Sequence, residues 1–204
     1  MIAPIGDLVS HCFYGDKLNS PIDSHGLKLS AALPKPVTWY STHNLRNRAE
    51  IPEESTFKNP IEVGEVRKIL LRLEFVAKAQ GRKISVAVLS GYTAQVRLLF
   101  EMVSQGIAEW PSLEVSCNSV DAFQGRQADI CIYSVVRSNR DKELGFLREP
   151  PRLNVALSRG KSALVIIGDN YFCRHIRGRN PFRDVIKFID ENEATCELEV
   201  LSDT

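Results

Sequence analysis

The chain of 204 residues carries no Gly-x-x-x-x-Gly-Lys-Ser/Thr loop and no Asp-Glu pair at the end of an apolar run. It therefore has no phosphate cradle of its own and no carboxylates placed for magnesium. Its five cysteines (Cys12, Cys117, Cys131, Cys173 and Cys196) are odd in number, scattered and never spaced Cys-x-x-Cys. That usage argues against a disulfide framework and reads as reduced thiols in a cytoplasmic protein. Cys173 and His175 stand close together, but no second pair completes a ligand set, so no metal is expected. A Gly-x-Ser-x-Gly elbow is also missing, which removes that hydrolase class. No apolar run approaches the ~20 residues of a membrane span. The start, Met1-Ile-Ala-Pro-Ile-Gly, lacks both the basic residues and the long apolar core of a secretory leader. Neither sign of charge dominates, and a net charge of +1 argues against coating nucleic acid by bulk attraction. A local basic groove remains compatible with it.

What is present is an alternation of two periodicities. Residues 1–54 are loop-rich, with a short helix expected over Asp7–Tyr14 and a strand over Val37–Ser41, where Val, Thr, Trp and Tyr suit a pleated surface. This segment is expected to pack on a core formed by residues 55–204. Asn59-Pro60 reads as an N-cap followed by proline at the first helical position. Val63, Val66, Ile69, Leu70, Leu73, Val76 and Ala77 then recur at helical spacing, until Gln80-Gly81. Ile84–Leu89 reads as a strand, and Thr93 as the cap of a helix over Ala94–Glu109. Strands follow at Leu113–Val120 and Ile130–Val136, the second after a turn at Phe123–Gln127. Pro150-Pro151 opens a helix over Arg152–Arg159, with Gly160 as its C′ residue. A strand over Ser162–Gly168, a helix over Asp184–Asp190 and a closing strand over Leu198–Leu201 complete the reading. This order implies an α/β fold, a mostly parallel sheet with helices on both faces. Sites on such sheets lie at the carboxyl ends of the strands, where Ser90–Thr93, Ser119–Gln127 and Arg137–Asn139 are expected to emerge.

The polar residues around those ends each have two readings. Arg159 ends a short helix before a buried strand. It is either a surface cation favoured by the helix C-terminus or an arginine finger, since a guanidinium is always charged and forks onto phosphate oxygens. Ser90 and Thr93 either cap the following helix or hold backbone phosphates, and Ser119 can act in the same way. Tyr92 either stacks on a base or packs in the core. Arg137-Ser-Asn139 is either a solvated turn or a coupling element. Arg126, Arg152 and Lys161 are further cations that can face a cleft or the solvent.

Four stretches carry a resemblance. Val120-Asp-Ala-Phe-Gln-Gly-Arg-Gln-Ala-Asp129 with Tyr133-Ser-Val-Val-Arg-Ser-Asn139, then Gly145-Phe-Leu with Arg152-Leu-Asn-Val-Ala-Leu-Ser-Arg159, resemble motifs V and VI of superfamily-one helicases. The branch is the one containing the nonsense-mediated-decay helicase and senataxin. Val88-Leu-Ser-Gly-Tyr-Thr-Ala-Gln95 resembles the motif before them, and Phe13-Tyr-Gly-Asp-Lys-Leu18 the family's Phe-Tyr-x-Gly-x-Leu segment. The resemblance implies the second RecA-like domain of such a helicase, without a P-loop. ATP and Mg2+ would be held mainly by the first RecA-like domain of the same protein, which is one expected partner. Single-stranded DNA or RNA is the other. It implies that Arg159 is the finger, that Gly125 and Gln127 lie beside the nucleotide, and that Ser90, Tyr92, Thr93 and Ser119 meet the nucleic acid. Gln124, Arg137 and Asn154 would couple the two sites. Gln127 stands where a glutamate commonly meets the ribose, Gly91 replaces a usual proline, and the family's Gln-Tyr-Arg-Met arginine would precede Met1. A fragment of a longer protein, inactive alone and binding no cofactor by itself, is the expectation that follows. The alternative is a nucleic-acid-binding or scaffolding module that kept the fold and lost turnover.

Overall fold

The computed structural model describes residues 1–20, 22 and 26–203. In chain order the elements are α1 (Ala3–Tyr14), β1 (Val37–Ser41), β2 (Ile51–Glu53), β3 (Thr56–Lys58), α2 (Pro60–Ala79), β4 (Ile84–Ser90), α3 (Thr93–Gln105), β5 (Leu113–Ser119), β6 (Ala128–Ser134), α4 (Pro150–Leu157), β7 (Gly160–Gly168), α5 (Asn170–His175), α6 (Pro181–Glu191) and β8 (Cys196–Val200). Short 3-10 turns occupy Ile107–Glu109, Asp121–Phe123 and Gly145–Arg148.

Six strands form one sheet in the order β5-β4-β6-β7-β1-β8, and every pairing in it is parallel. Such a sheet must be covered on both faces. Alternate residues of each strand accordingly feed two separate cores. Val37 and Trp39, Ala87 and Leu89, Cys131 and Tyr133, and Leu164 and Ile166 face α1, α4, α5 and α6. Val86 and Val88, Ile130 and Ile132, and Val165 and Ile167 face α2 and α3. Two faces of helices on a parallel sheet are consistent with the RecA-like architecture.

Local signals explain most elements. Asn59 caps α2, its side chain accepting from the Glu62 amide, and Pro60 fills the first helical position. Val37–Ser41 forms at its expected bounds and sits inside the sheet between β7 and β8. Several expectations are corrected. Thr93 is not a cap: it is the first residue of α3, and Tyr92, with extended backbone, holds the cap position without a side-chain bond. That helix stops at Gln105, and a 3-10 turn replaces its expected last part. Gly160 is not a C′ glycine, because α4 is capped at Ser158 and Gly160 starts β7. Its lack of a side chain answers a close approach instead: a Cβ there would lie 2.2 Å from the Ala163 carbonyl oxygen. The β2–β3 hairpin and α5 were not anticipated, both being too short to show a period.

Candidate nucleotide and nucleic-acid interface

The expectation that Ser119–Gln127 emerges at the carboxyl edge of the sheet holds only for its beginning. β5 ends at Ser119 and β6 begins at Ala128, and the two run parallel. The segment between them must therefore cross from the carboxyl edge to the amino edge. The polar residues thus divide into two clusters, at opposite ends of the strands.

At the amino edge, Ala128 pairs with Gly160, and the Ala128 amide donates to the Arg159 carbonyl at 3.1 Å. Arg159 is folded back over the end of α4. Its Nε donates to the Val155 carbonyl at 2.8 Å, its Nη2 to Ser158 Oγ at 2.6 Å and its Nη1 to the Arg126 carbonyl at 3.3 Å. A cation satisfying the last carbonyls of a helix is the bland expectation for this residue. The bond to Arg126 adds something that expectation lacked, since it ties Arg159 to the crossover loop. Gln124, Gly125, Arg126 and Gln127 are all exposed on that loop. Gly125 has φ +80°, a left-handed conformation that favours glycine, and the Arg126 guanidinium lies 4.7 Å from the centroid of the Phe123 ring. Asn154, on α4, donates to Tyr14 Oη at 2.9 Å and so pins the end of α1.

At the carboxyl edge, Ser90 and Ser119 are register partners on β4 and β5. Ser90 is fully buried, its hydroxyl donating to the Ser134 carbonyl at 3.1 Å. Tyr92 is buried too, against Phe57 at 5.6 Å edge-to-face, and accepts from Arg137 Nη1 at 3.1 Å. Burial pushes its hydroxyl up to about 12. Ser90 and Tyr92 therefore shape the turn from inside and present no side chain to a strand. Thr93 is exposed, and Ser119 is half-buried, accepting from the Ala122 amide.

Arg137 is not in a solvated turn. Its side chain is enclosed, with Nε on Glu50 Oε1 at 2.9 Å and the guanidinium 4.4 Å from the Phe57 ring centroid. Glu50 also accepts from the Ser138 amide and from Asn139 Nδ2. Just before Arg137, Val136 has φ +73°. A β-branched residue in that region is strained and persists only where its surroundings hold it. Here the Val136 amide donates at 2.9 Å to Glu62, whose carboxylate also accepts from Ser134 Oγ at 2.6 Å. Gln95 closes the network, accepting from the Asn59 amide and donating to the Asn59 carbonyl and Ser134 Oγ. Glu62 is fully buried, and burial pushes its pKa up to about 8 despite these bonds. Sequence reasoning missed Glu50 and Glu62. A carboxylate three residues into a helix matches an ordinary capping box, and nothing local marks it as buried. Among the described residues, no group of three His, Cys, Asp or Glu side chains is placed to hold a metal ion.

A family model described as an AAA domain matches residues 1–171. Over 134 residues the chain is 33% identical to DNA polymerase alpha-associated DNA helicase A of Saccharomyces cerevisiae, covering 66% of this chain and 19% of that protein. Over 181 residues it is 34% identical to the regulator of nonsense transcripts 1 homolog of Neurospora crassa, covering 84% of this chain and 16% of that protein. The chain belongs to the AAA domain family of superfamily-one helicases, in the nonsense-mediated-decay and senataxin branch. DNA-binding protein SMUBP-2 of Rattus norvegicus is a further relative, 33% identical over 154 residues, 69% of this chain and 15% of that protein. The chain thus spans less than a fifth of the length of these curated relatives. Within this helicase family the motif residues of the chain fall into the two clusters described, joined by the crossover loop. No helix among the described residues is long and apolar enough to cross a membrane.

Proposed function

We propose that this chain is the second RecA-like domain of a cytoplasmic, ATP-dependent helicase or translocase acting on single-stranded DNA or RNA. It supplies an arginine finger from the amino edge of its sheet and part of the strand groove from the carboxyl edge. The observation that carries this reading is the position of Arg159, tied to the Arg126 carbonyl beside the exposed Gly125–Gln127 loop.

The donor set of this edge fits the phosphate and ribose of a nucleotide. Arg159 can turn its distal nitrogens from Ser158 and Arg126 towards phosphate oxygens, and the Gln127 amide can hydrogen-bond a ribose hydroxyl. Among the described residues no group of three His, Cys, Asp or Glu side chains could hold a metal ion, and in this reading magnesium is held from the partner domain's side of the cleft. ATP bound there provides the phosphoryl-transfer chemistry. This chain's part is to bring positive charge to the departing phosphate as the two domains close. The buried network then has a mechanical role. The crossover loop leaves the nucleotide edge at Gln127 and reaches the strand edge at Ser119, while Arg137 joins the Tyr92 turn to Glu50. Gln124, Arg137 and Asn154 are the coupling residues in this reading.

One observation favours a second reading. Gln127 replaces the family's glutamate and loses its charge-assisted bond, which fits a binding or scaffolding module without turnover. ATPase measurements on the whole protein, with and without single-stranded DNA and RNA, decide between the two. Stimulated turnover that falls by ~10³ or more in Arg159→Ala supports the finger. Turnover indifferent to Arg159 refutes it, and strand binding without any turnover supports the module.

A further inference from the structure

A cavity of about 240 Å³ opens at the carboxyl ends of β6 and β7, away from the Ser90–Thr93 turn. Its cationic rim is Arg48, Arg140 and Lys142, and one wall is made by the rings of Tyr171 and His175. These two rings lie 4.2 Å apart between centroids, tilted by 35°, and the His43 ring lies 5.5 Å from that of Tyr171 on α5, tilted by 42°. Tyr171 is 58% exposed. Asp169, the one carboxylate among the described residues lining the cavity, is 3% exposed and turned inward. It accepts from Arg48 Nε at 3.1 Å, from Ser138 Oγ at 2.8 Å and from the Phe172 amide at 2.8 Å. Its charge is thus compensated within the fold. Among the described residues, Arg140 and Lys142 enter no ion pair, and the intervening and following acids, Asp141 and Glu143, do not line the cavity. Lys142 has φ +57°, a backbone conformation that is uncommon for lysine.

We propose that this cavity takes one nucleotide of a bound single strand. The base stacks on the Tyr171 and His175 wall, and the flanking phosphates lie against Arg140 and Lys142. Exposed aromatic faces beside cations are what a strand needs when it is held without sequence preference. Position agrees with the chemistry. β4, β6 and β7 are neighbours, so the cavity lies two strand spacings, about 10 Å, from the Ser90–Thr93 turn along one edge. A strand crossing that turn continues into it. The inference rests on the strand-binding reading above and adds a site that reading does not contain.

The test is fluorescence anisotropy with labelled 15-nucleotide oligo-dT and oligo-U, on the whole protein and its variants, with thermal unfolding as the folding control. Tyr171→Ala is expected to weaken binding about tenfold, or about 1.4 kcal/mol, while Tyr171→Phe, which keeps the stacking face, binds like the parent. The Arg140→Ala/Lys142→Ala double variant is expected to flatten the slope of log affinity against log salt by about 1.4, at about 0.7 per lost phosphate contact. Parental binding that survives both changes overturns this site and leaves the strand-binding reading standing. A whole protein that binds neither oligonucleotide overturns both. Tyr171-dependent binding of uridine monophosphate without Tyr171-dependent oligonucleotide binding assigns the cavity to a free nucleotide and overturns the proposal.

Discussion

Glu62→Gln isolates a buried carboxyl group whose ionisation the fold opposes. The native carboxyl is fully buried and held by Ser134 Oγ and the Val136 amide. Burial is the largest influence and raises its pKa from 4.5 to about 8, with Asp169 adding to the rise and the hydrogen bonds opposing it. The sign follows from proton counting. Between pH 4.5 and about 8 the folded chain keeps a proton that the unfolded chain has released, so stability falls as pH rises through that window and levels off above it. At about 1.4 kcal/mol per pH unit, moving from 4.5 to about 8 corresponds to a ceiling of about 5 kcal/mol. That is comparable to the whole stability of many domains. The glutamine keeps an acceptor for the Val136 amide and cannot ionise. Urea denaturation of both proteins at pH 5, 6, 7, 8 and 9 tests this. The parent's stability relative to the variant should fall across the series, with most of the loss between pH 5 and 8. A difference that stays flat would refute this, because it would mean that the hydrogen bonds outweigh burial and that Glu62 is charged throughout.

Two further expectations concern packing. Arg137→Met leaves the Glu50 carboxylate enclosed without its partner and should cost about 3–5 kcal/mol in chemical denaturation, with Glu50→Gln added to it recovering part of the loss, a coupling that a double-mutant cycle would read. Gly64 sits exposed within α2, and a Cβ there would meet no atom of the described residues within 4 Å, so Gly64→Ala should stabilise by about 0.5–1 kcal/mol. Gly160→Ala instead drives a Cβ to 2.2 Å from backbone oxygen and should lower stability by about 1–3 kcal/mol or more. Thermal melts of the two variants moving in the same direction would contradict both assignments.

The parallel sheet was legible from short-range pattern because its strands are nearly continuous apolar runs and its longer helices carry caps in the sequence. Asn59-Pro60 marks α2, and Val37–Ser41 marks β1 to the residue. The hairpin of Ile51–Glu53 and Thr56–Lys58 was hidden because each strand has three residues, one of them Pro52, and none is buried. The candidate site was legible only as a list of polar residues near strand ends. Arg159 and the Gly125–Gln127 loop were both visible, but which end of the sheet they share was not. That depends on the crossover from β5 to β6, whose direction a local pattern does not encode.

Composition and the two periodicities by themselves determined the fold class, and the order of the motifs carried the resemblance to the helicase family. Each of these is written in neighbouring residues, where propensity and burial act over a few positions. Tertiary structure alone decided that Ser90 and Tyr92 point inward, that Arg137 is enclosed by Glu50, and that Glu62 is buried beside a strained Val136. The partners in those contacts are 45, 87 and 74 residues apart. Their energies come from desolvation and from geometry that exist only once the sheet has closed between its helices.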